Sequence, residues 1–148
     1  MEALTLLLNQ SYKFLLDMGL NYVAATQDNE VTRSRVGKAY KCFIGELNND
    51  IISTISLYKS TPSKICKWYS EKHVAKMGQF AVLPKYQKKG IGDHMLALIE
   101  FEASKIQGVT ELALDTAETA HHLIQYYQDR ALDISRRFSG MKPIIKVW

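Results

Sequence analysis

The 148-residue chain is predicted to fold as a mixed α/β domain in which helices flank a central sheet. Apolar residues recur at helical spacing near the N-terminus, whereas residues 39–59 are rich in β-branched and aromatic side chains. A nearly unbroken apolar run then fills residues 77–83, as is typical of a strand buried on both faces. Helix and strand signals therefore alternate along the chain, which favours an α/β or α+β sheet domain.

The first part of the chain is predicted to form two helices and then a β-hairpin. Apolar residues at helical spacing mark the first helix, which Gly19 is placed to end, and Asp28 is placed to cap the second. The residues at 48–50 (NND) readily adopt the positive φ angles of a tight turn. The predicted elements are helices at 2–18 and 29–35 and strands at 39–47 and 51–59.

The remaining sequence is predicted to form a strand–loop–helix–strand unit followed by another helix. Pro84 stops the apolar run, and Gly108 is placed to close the helix that follows the loop. The tail at 132–148 is expected to hold two strands separated near Ser139 and Gly140. The other predicted elements are strands at 77–83 and 110–116 and helices at 93–106 and 119–130.

Length and composition limit the class of protein. The length predicts a single domain over residues 1–148. Lysine and arginine exceed aspartate and glutamate by 19 to 15, a mild excess that suits an anionic small ligand. This excess falls short of the dense basic face of a nucleic-acid binder, so no nucleic-acid partner is expected.

The N-terminus and the cysteines exclude further classes. The apolar start lacks a basic n-region, and no stretch approaches the ~18 apolar residues of a spanning helix, so we expect no membrane partner and a cytoplasmic protein. Cys42 and Cys66 form no CxxC pair and have no histidine partners at ligand spacing. They are interpreted as reduced thiols, and no metal site is expected.

The loop after residue 83 has the features of an anion-binding site. Backbone N–H groups at the start of a helix have no intrahelical partner, and the helix dipole adds partial positive charge there. Gly90 and Gly92 remove the Cβ atoms that would keep a phosphate at a distance. The loop is neither a Walker loop nor the three-glycine dinucleotide fingerprint. Taken alone, it equally fits an ordinary helix start with solvated lysines.

The sequence around this loop resembles the core motif of the GNAT family of N-acetyltransferases. The family motif reads V-x-P-x-Y and then Q/R-x-x-G-x-G/A, and every position is matched within FAVLPKYQKKGIG at residues 80–92. The resemblance covers residues 39–132. It implies a GNAT-like fold with a mixed, mostly antiparallel central sheet, flanking helices and a strand–loop–helix–strand core. It also implies acetyl-CoA as co-substrate, without a metal.

The same resemblance implies which residues hold acetyl-CoA. Backbone groups at the end of the strand would pair with the pantetheine arm as though it were an added strand. Main-chain amides of the loop would hold the pyrophosphate, and the carboxylate of Asp93 is expected to point away from it, towards Lys89. The implied cofactor-binding residues are Phe80, Ala81, Val82, Gln87, Lys88, Lys89, Gly90, Ile91, Gly92 and Asp93.

The family mechanism is direct attack of an amine on the thioester, through a tetrahedral intermediate that expels the CoA thiolate. A family tyrosine that assists the thiolate matches Tyr127 in AHHLIQYYQDRAL at 120–132, although Ala replaces the usual Asn and Ala-Leu replaces Gly-Phe. Helical geometry directs Tyr127 towards the sheet and Tyr126 to a more polar face. A phenol of pKa ~10 is a weak acid for a thiolate of pKa ~8.5, so hydrogen-bond donation is expected rather than full transfer. No residue stands out as the general base.

The sequence leaves the acceptor and two other functions open. A primary amine of a small molecule or a peptide is the expected acceptor, held by residues 18–38 and 132–146, whose mixed charges select neither a polyamine nor an acidic acceptor. A CoA-binding sensor would keep the loop without turnover, and a nucleic-acid binder would use Lys85, Lys88 and Lys89. The helix at 2–18 replaces the family's first strand, which would leave a sheet edge open for a homodimer.

Overall fold

The computed structural model describes residues 1–64, 66–137 and 142–147, in which a five-stranded sheet carries helices on both faces. The predicted mixed α/β class with flanking helices is confirmed. The helices are α1 (Glu2–Asp17), α2 (Asn29–Lys38), α3 (Ile91–Ser104) and α4 (His121–Arg137). The strands are β1 (Lys41–Leu47), β2 (Asp50–Tyr58), β3 (Val74–Val82), β4 (Glu111–Thr116) and β5 (Lys142–Val147).

The sheet combines an antiparallel half with a parallel half. Its strands lie in the order β1-β2-β3-β4-β5, with antiparallel pairing from β1 to β3 and parallel pairing from β3 to β5. Asn48 and Asn49 adopt φ angles of 52° and 67° in the turn between β1 and β2. The predicted hairpin is therefore confirmed. Asparagine suits this turn because it tolerates the left-handed backbone better than most residues do.

Two apolar clusters fix the helices on opposite faces of the sheet. Residues of α3 such as Ile99 pack with Ile55 and Leu57 of β2, and all three are fully buried. On the other face, apolar residues of α1 such as Leu8 pack against Ala81 of β3. Burial of each such large side chain stabilises the fold by roughly 1.5–3 kcal/mol.

A buried ion pair joins α4 to α3. Arg130 donates through its guanidinium to both carboxylate oxygens of Glu100, at 3.0 and 3.2 Å. The Glu100 side chain is 1% exposed, so the pair lies within the fold rather than on its surface. This contact fixes α4, the helix that carries Tyr126 and Tyr127, to the second half of α3.

The tail differs from its prediction. One strand, β5, is described where two were expected, and α4 continues to Arg137 rather than ending at residue 130. The expected break near Ser139 and Gly140 lies outside the described residues. The sequence explains the longer helix, because 131–137 (ALDISRR) contains neither glycine nor proline to stop it.

Other helix and strand ends differ from the predicted ones by a few residues. The strand β3 begins at Val74, ahead of the apolar run, and α2 passes through Gly37 to Lys38. Val31 N–H donates to the Asp28 carboxylate at 2.8 Å, as the predicted N-cap requires. In the part of the chain that the structure describes, no helix has the length and apolar character needed to cross a membrane.

Candidate functional site

A bulge in β3 opens a cleft between β3 and β4. Two β3 residues, Gln79 and Phe80, lie opposite the single β2 residue Ile55, and Gln79 has a φ of 51°. Among the described residues, β3 and β4 pair over residues 74–76 and 111–113 and then part. A bulge bends its strand and increases the twist, so the two strands diverge beyond it. The space between them is a cavity of about 980 Å³.

Buried polar side chains hold the bulge in place. The amide of Gln79 exchanges hydrogen bonds with the amide of Gln27 at 3.2 and 3.5 Å. Gln27 in turn donates to the hydroxyl of Thr32, at 2.7 Å, and Thr5 donates to the same hydroxyl at 2.9 Å. A non-glycine residue at positive φ costs roughly 1–2 kcal/mol. This network ties the strained residue to α1 and α2 and offsets that cost.

The edge of β3 that faces the cleft carries polar backbone groups. Leu83 N–H donates to Ile52 of β2 at 2.9 Å, so the groups of the preceding residue, Val82, point to the opposite edge. The Tyr12 hydroxyl donates to Phe80 O at 2.8 Å. Val82 O accepts from Ser11 at 3.2 Å and from the Gln87 side chain at 2.9 Å. The carbonyls predicted to meet pantetheine therefore already have protein donors.

The loop from β3 to α3 ends in an uncapped helix start. Gly90 is the N-cap at a φ of 81°, and it provides no side-chain hydrogen bond. His94 N–H makes the first helical bond, to Gly90 O. The N–H groups of Ile91, Gly92 and Asp93 consequently precede the helical ladder and point out of the helix start. These three donors match what a diphosphate requires.

The other predicted loop residues have defined local roles. Gln87 N–H donates to Pro84 O at 3.2 Å and so belongs to the turn. Lys88 adopts a φ of 58°, and its side chain is exposed. The ammonium groups of Lys85 and Lys89 lie 4.9 and 5.6 Å from the centre of the Tyr86 ring. Positive charge is therefore concentrated beside the uncapped helix start.

Tyr126 joins α4 to the same helix start. Its hydroxyl donates to the Asp93 carboxylate at 2.9 Å, so this carboxylate contacts Tyr126 rather than Lys89 as expected. A Cβ built on Gly92 would lie 3.5 Å from both the Phe80 ring and the Tyr126 hydroxyl. Glycine at this position keeps open the narrow space between α3, β3 and α4.

Tyr127 lies where the sequence predicted, on the face of α4 that meets the sheet. It packs against the α3 cluster and lines the cleft. Its hydroxyl has no hydrogen-bond partner among the described residues, which leaves it available to a ligand. Burial raises the pKa of the Tyr127 phenol well above its usual value, and the neighbouring Tyr12, Tyr126 and Tyr22 add to the rise. The hydroxyl therefore stays protonated and can donate.

Two tyrosines that sequence reasoning missed span the cleft. The rings of Tyr12 and Tyr22 lie 5.5 Å apart. Tyr12 bonds to β3 as described, whereas the Tyr22 hydroxyl bonds with Thr116 Oγ1 at 2.8 Å and accepts from Ala117 N–H at 2.9 Å. Together they connect the diverging strands. Nothing in the local sequence indicated this role, because their partners are 68 to 95 residues away.

Side chains that could accept a proton from the amine lie in different places. His73 lies 3.7 Å from Glu111, and His121 and His122 are exposed at the start of α4. Lys76 lines the cleft and pairs with Asp115 at 3.2 Å. The structure thus brings none of the histidines into the cleft lining. In the described ranges, no group of three or more His, Cys, Asp or Glu residues could hold a metal ion.

Comparison with known proteins gives one family and one fold. The model of the Acetyltransferase (GNAT) family matches residues 7–132. Comparison with curated protein sequences gives no significant match.

Solved structures of acetyltransferases share the fold at low sequence identity. One of the GNAT family from Staphylococcus aureus MU50 has a TM-score of 0.65 at 13% identity, with 88% of this chain and 76% of that chain covered. A probable acetyltransferase from meticillin-resistant Staphylococcus aureus has a TM-score of 0.57 at 14% identity, covering 86% and 80%. A predicted acetyltransferase with acetyl-CoA from Clostridium acetobutylicum has a TM-score of 0.54 at 20% identity, covering 84% and 81%.

Proposed function

Because the chain belongs to the Acetyltransferase (GNAT) family, we propose that it transfers an acetyl group from acetyl-CoA to a primary amine of a small molecule or peptide. Residues 1–148 would act as one acetyl-CoA-binding N-acetyltransferase domain. The observation that carries the proposal is the uncapped start of α3, where three N–H groups precede the helical ladder beside the mouth of the cleft.

The pyrophosphate would be held by main chain at this helix start. Ile91, Gly92 and Asp93 would donate directly, and Lys88 and Lys89 would add attraction without fixed geometry. Gly90 supports the arrangement through its left-handed backbone, which places the helix start. Gln87 would contribute by fixing the loop to Val82 O rather than through its own N–H.

The pantetheine arm would run along the cleft edge of β3. A carbonyl oxygen has two lone pairs, and Val82 O already accepts from two side chains. Phe80 O accepts from Tyr12 alone among the described residues, so it keeps one lone pair for a pantetheine N–H. The N–H of Val82 faces the same edge as an available donor, and Ala81 would provide packing because its polar groups face β2.

The chemistry would take place beside Tyr127. Acetyl-CoA supplies a thioester whose carbonyl carbon is attacked directly by the neutral amine, through a tetrahedral intermediate. Tyr127 would donate a hydrogen bond to the sulfur as the carbon–sulfur bond breaks, which stabilises the thiolate. The raised pKa of this phenol opposes complete proton transfer. The amine's proton would leave through water in the open cleft.

A calorimetric titration tests the cofactor and a thiol-release assay tests turnover. Acetyl-CoA and CoA should both bind the purified protein, and a panel of primary amines should release free CoA thiol at a rate above the no-amine control. Binding without release from any amine would favour the alternative, a non-catalytic CoA-binding regulatory module. Failure of both ligands to bind the folded protein would overturn the proposal for this site.

Self-association stays a prediction. The strand β1 lies at one edge of the sheet, and Ile44 and Leu47 on it are exposed. An unpaired edge with apolar side chains can add a second copy by strand pairing. Light scattering on the purified protein should then give twice the monomer mass, and Ile44→Lys should restore the monomer.

A further inference from the structure

Among the described residues, more basic than acidic side chains line the cleft. Among the described residues that line it, Asp115 is the one acidic side chain. Four basic side chains line the same cavity, and they come from α2, the end of β2 and β3. These residues are Arg35, Lys38, Lys59 and Lys76.

Two of the four cations already have a partner. The Lys76 ammonium pairs with both carboxylate oxygens of Asp115, at 3.2 and 3.3 Å, which neutralises the acidic residue. The Lys59 ammonium lies 3.9 Å from the centre of the Tyr40 ring. Within the described part of the chain, Arg35 and Lys38 make neither an ion pair nor a hydrogen bond through their side chains. The α2 side of the cleft therefore carries uncompensated positive charge.

Arg35 lines the cleft, and the residue is partly buried. Burial raises the pKa of both Tyr12 and Tyr58, and the positive charge of Arg35 opposes the rise at each. Both tyrosines line the same cavity as Arg35. A partly desolvated cation without a counterion is unfavourable unless a ligand supplies the opposite charge.

We propose that the acceptor is a small amine that also carries a carboxylate, and that Arg35 binds this carboxylate with Lys38 beside it. The inference rests on the proposed function and specifies its substrate class. The planar guanidinium of arginine matches both oxygens of a carboxylate. Tyr12, Tyr22 and Tyr58 provide apolar surface for the carbon chain between the two groups. The amine would then point past Gln79 towards the thioester beside Tyr127.

The phosphates of CoA do not account for these cations. The proposed phosphate site lies at the start of α3, whose residues are absent from the described lining of the cavity. The negative end of the α2 dipole would favour any cation in the last turn of that helix. If Arg35 and Lys38 served only to stabilise α2 in this way, replacing them would change the stability of the protein and leave its substrate choice unchanged. This structural role can therefore be separated from carboxylate binding.

A matched series of amines tests the proposal. Each ω-amino acid from glycine to 5-aminovalerate is compared with the alkylamine and the diamine of equal chain length, using kcat/KM from the thiol-release assay. At the preferred chain length, kcat/KM for the amino acid should exceed kcat/KM for the alkylamine and for the diamine by about ten- to a hundredfold, as expected for hydrogen bonds to a charged group. A methyl ester of the same amino acid should lose this advantage. Equal rates across the three series would overturn the proposal.

Variants on α2 assign the preference to a residue. Arg35→Ala should reduce the ratio of amino-acid to alkylamine kcat/KM towards one, and Arg35→Lys should retain part of it. Arg33 lies exposed on the same helix and does not line the cleft, so Arg33→Ala is the matched control and should leave the ratio intact. If Arg35→Ala lowers stability or CoA affinity while the ratio is unchanged, the carboxylate is bound elsewhere and the proposal is wrong.

A binding measurement keeps the test decisive if turnover is slow. Calorimetry with the N-acetylated amino acid and CoA together should show uptake that Arg35→Ala weakens about tenfold or more. Amine turnover without preference for a carboxylate would overturn this inference and leave the acetyltransferase proposal standing. Failure of acetyl-CoA itself to bind would instead overturn the proposed function.

Discussion

The two sides of the proposed active site, the start of α3 and the cleft beside it, are built in different ways. The α3 side presents main-chain donors from one continuous loop, in which residues 83–93 supply the glycines, the lysines and the helix start. The α1–α2 side presents side chains brought from distant parts of the chain, such as Arg35, Tyr12 and Tyr22. In the proposed function, the main chain would bind the diphosphate of acetyl-CoA, and the side chains would bind the acceptor. The proposal therefore assigns the common chemistry and the specificity to different sides of the proposed active site.

Tyr127 lies between the two sides, and its removal should have the largest effect. Tyr127→Phe keeps the ring in the core and deletes the hydroxyl proposed to stabilise the thiolate. Loss of one such donor lowers kcat by roughly a hundredfold to a thousandfold, whereas the Kd of acetyl-CoA should change less than about twofold. Pre-steady-state thiol release and calorimetry measure the two quantities. An unchanged kcat would show that the thiolate is stabilised by another group.

A glycine exchange should weaken the main-chain side alone. Gly90 and Gly19 share a φ of 81°, and a Cβ on either would meet nothing within 4 Å. Alanine at either position should therefore cost the fold roughly 1–2 kcal/mol of backbone strain, seen in urea unfolding. Relaxation of that strain at Gly90 would also turn the α3 donors, so the Kd of acetyl-CoA should rise about tenfold in Gly90→Ala.

Gly19→Ala is the control for this experiment because it carries the same strain away from the loop. It should lose similar stability with no change in CoA affinity. Equal CoA affinity in both variants would mean that the helix start does not hold the phosphates.

Removal of a cross-cleft hydroxyl should affect the side-chain side. Tyr22→Phe deletes the contacts with Thr116 and Ala117 N–H, at a cost of about 1–2 kcal/mol in the free energy of unfolding. The acceptor KM should rise severalfold because that wall of the cleft loosens, and the KM of acetyl-CoA should rise less. Parallel increases in both constants would contradict the separation of the two sides.

The smallest effect is a difference in pH dependence. The folded-state pKa of Tyr127 lies well above the unfolded value of about 10, so the folded state retains a proton that the unfolded state loses. Its contribution to stability is complete below pH 10 and is lost as the pH rises through the folded-state pKa. Between pH 10 and 11, stability should fall less steeply in Tyr127→Phe than in the wild type, by at most about 1.4 kcal/mol per pH unit. Urea unfolding across this range measures both slopes, and identical slopes would contradict the raised pKa.

The sequence predicted elements whose signals are local. The hairpin turn at 48–50, the Asp28 cap and the loop at 83–93 were each identified from a few adjacent residues. The tail was predicted less well, because the end of α4 depends on the absence of a stop signal, and two strands were inferred where one is described. Tyr127 was placed correctly on the sheet side of α4, since helical periodicity needs only the neighbouring positions.

By itself, the sequence determined the alternation of helices and strands, the family and the glycine-containing junction proposed to bind phosphate, because each is encoded by residues close together in the chain. The bulge at Gln79, the tyrosines that connect β3 to β4 and the position of Arg35, which has no ion-pair partner among the described residues, were decided by the tertiary structure. Each depends on which residues, distant in sequence, lie close together in the folded chain, and the local sequence does not encode those contacts.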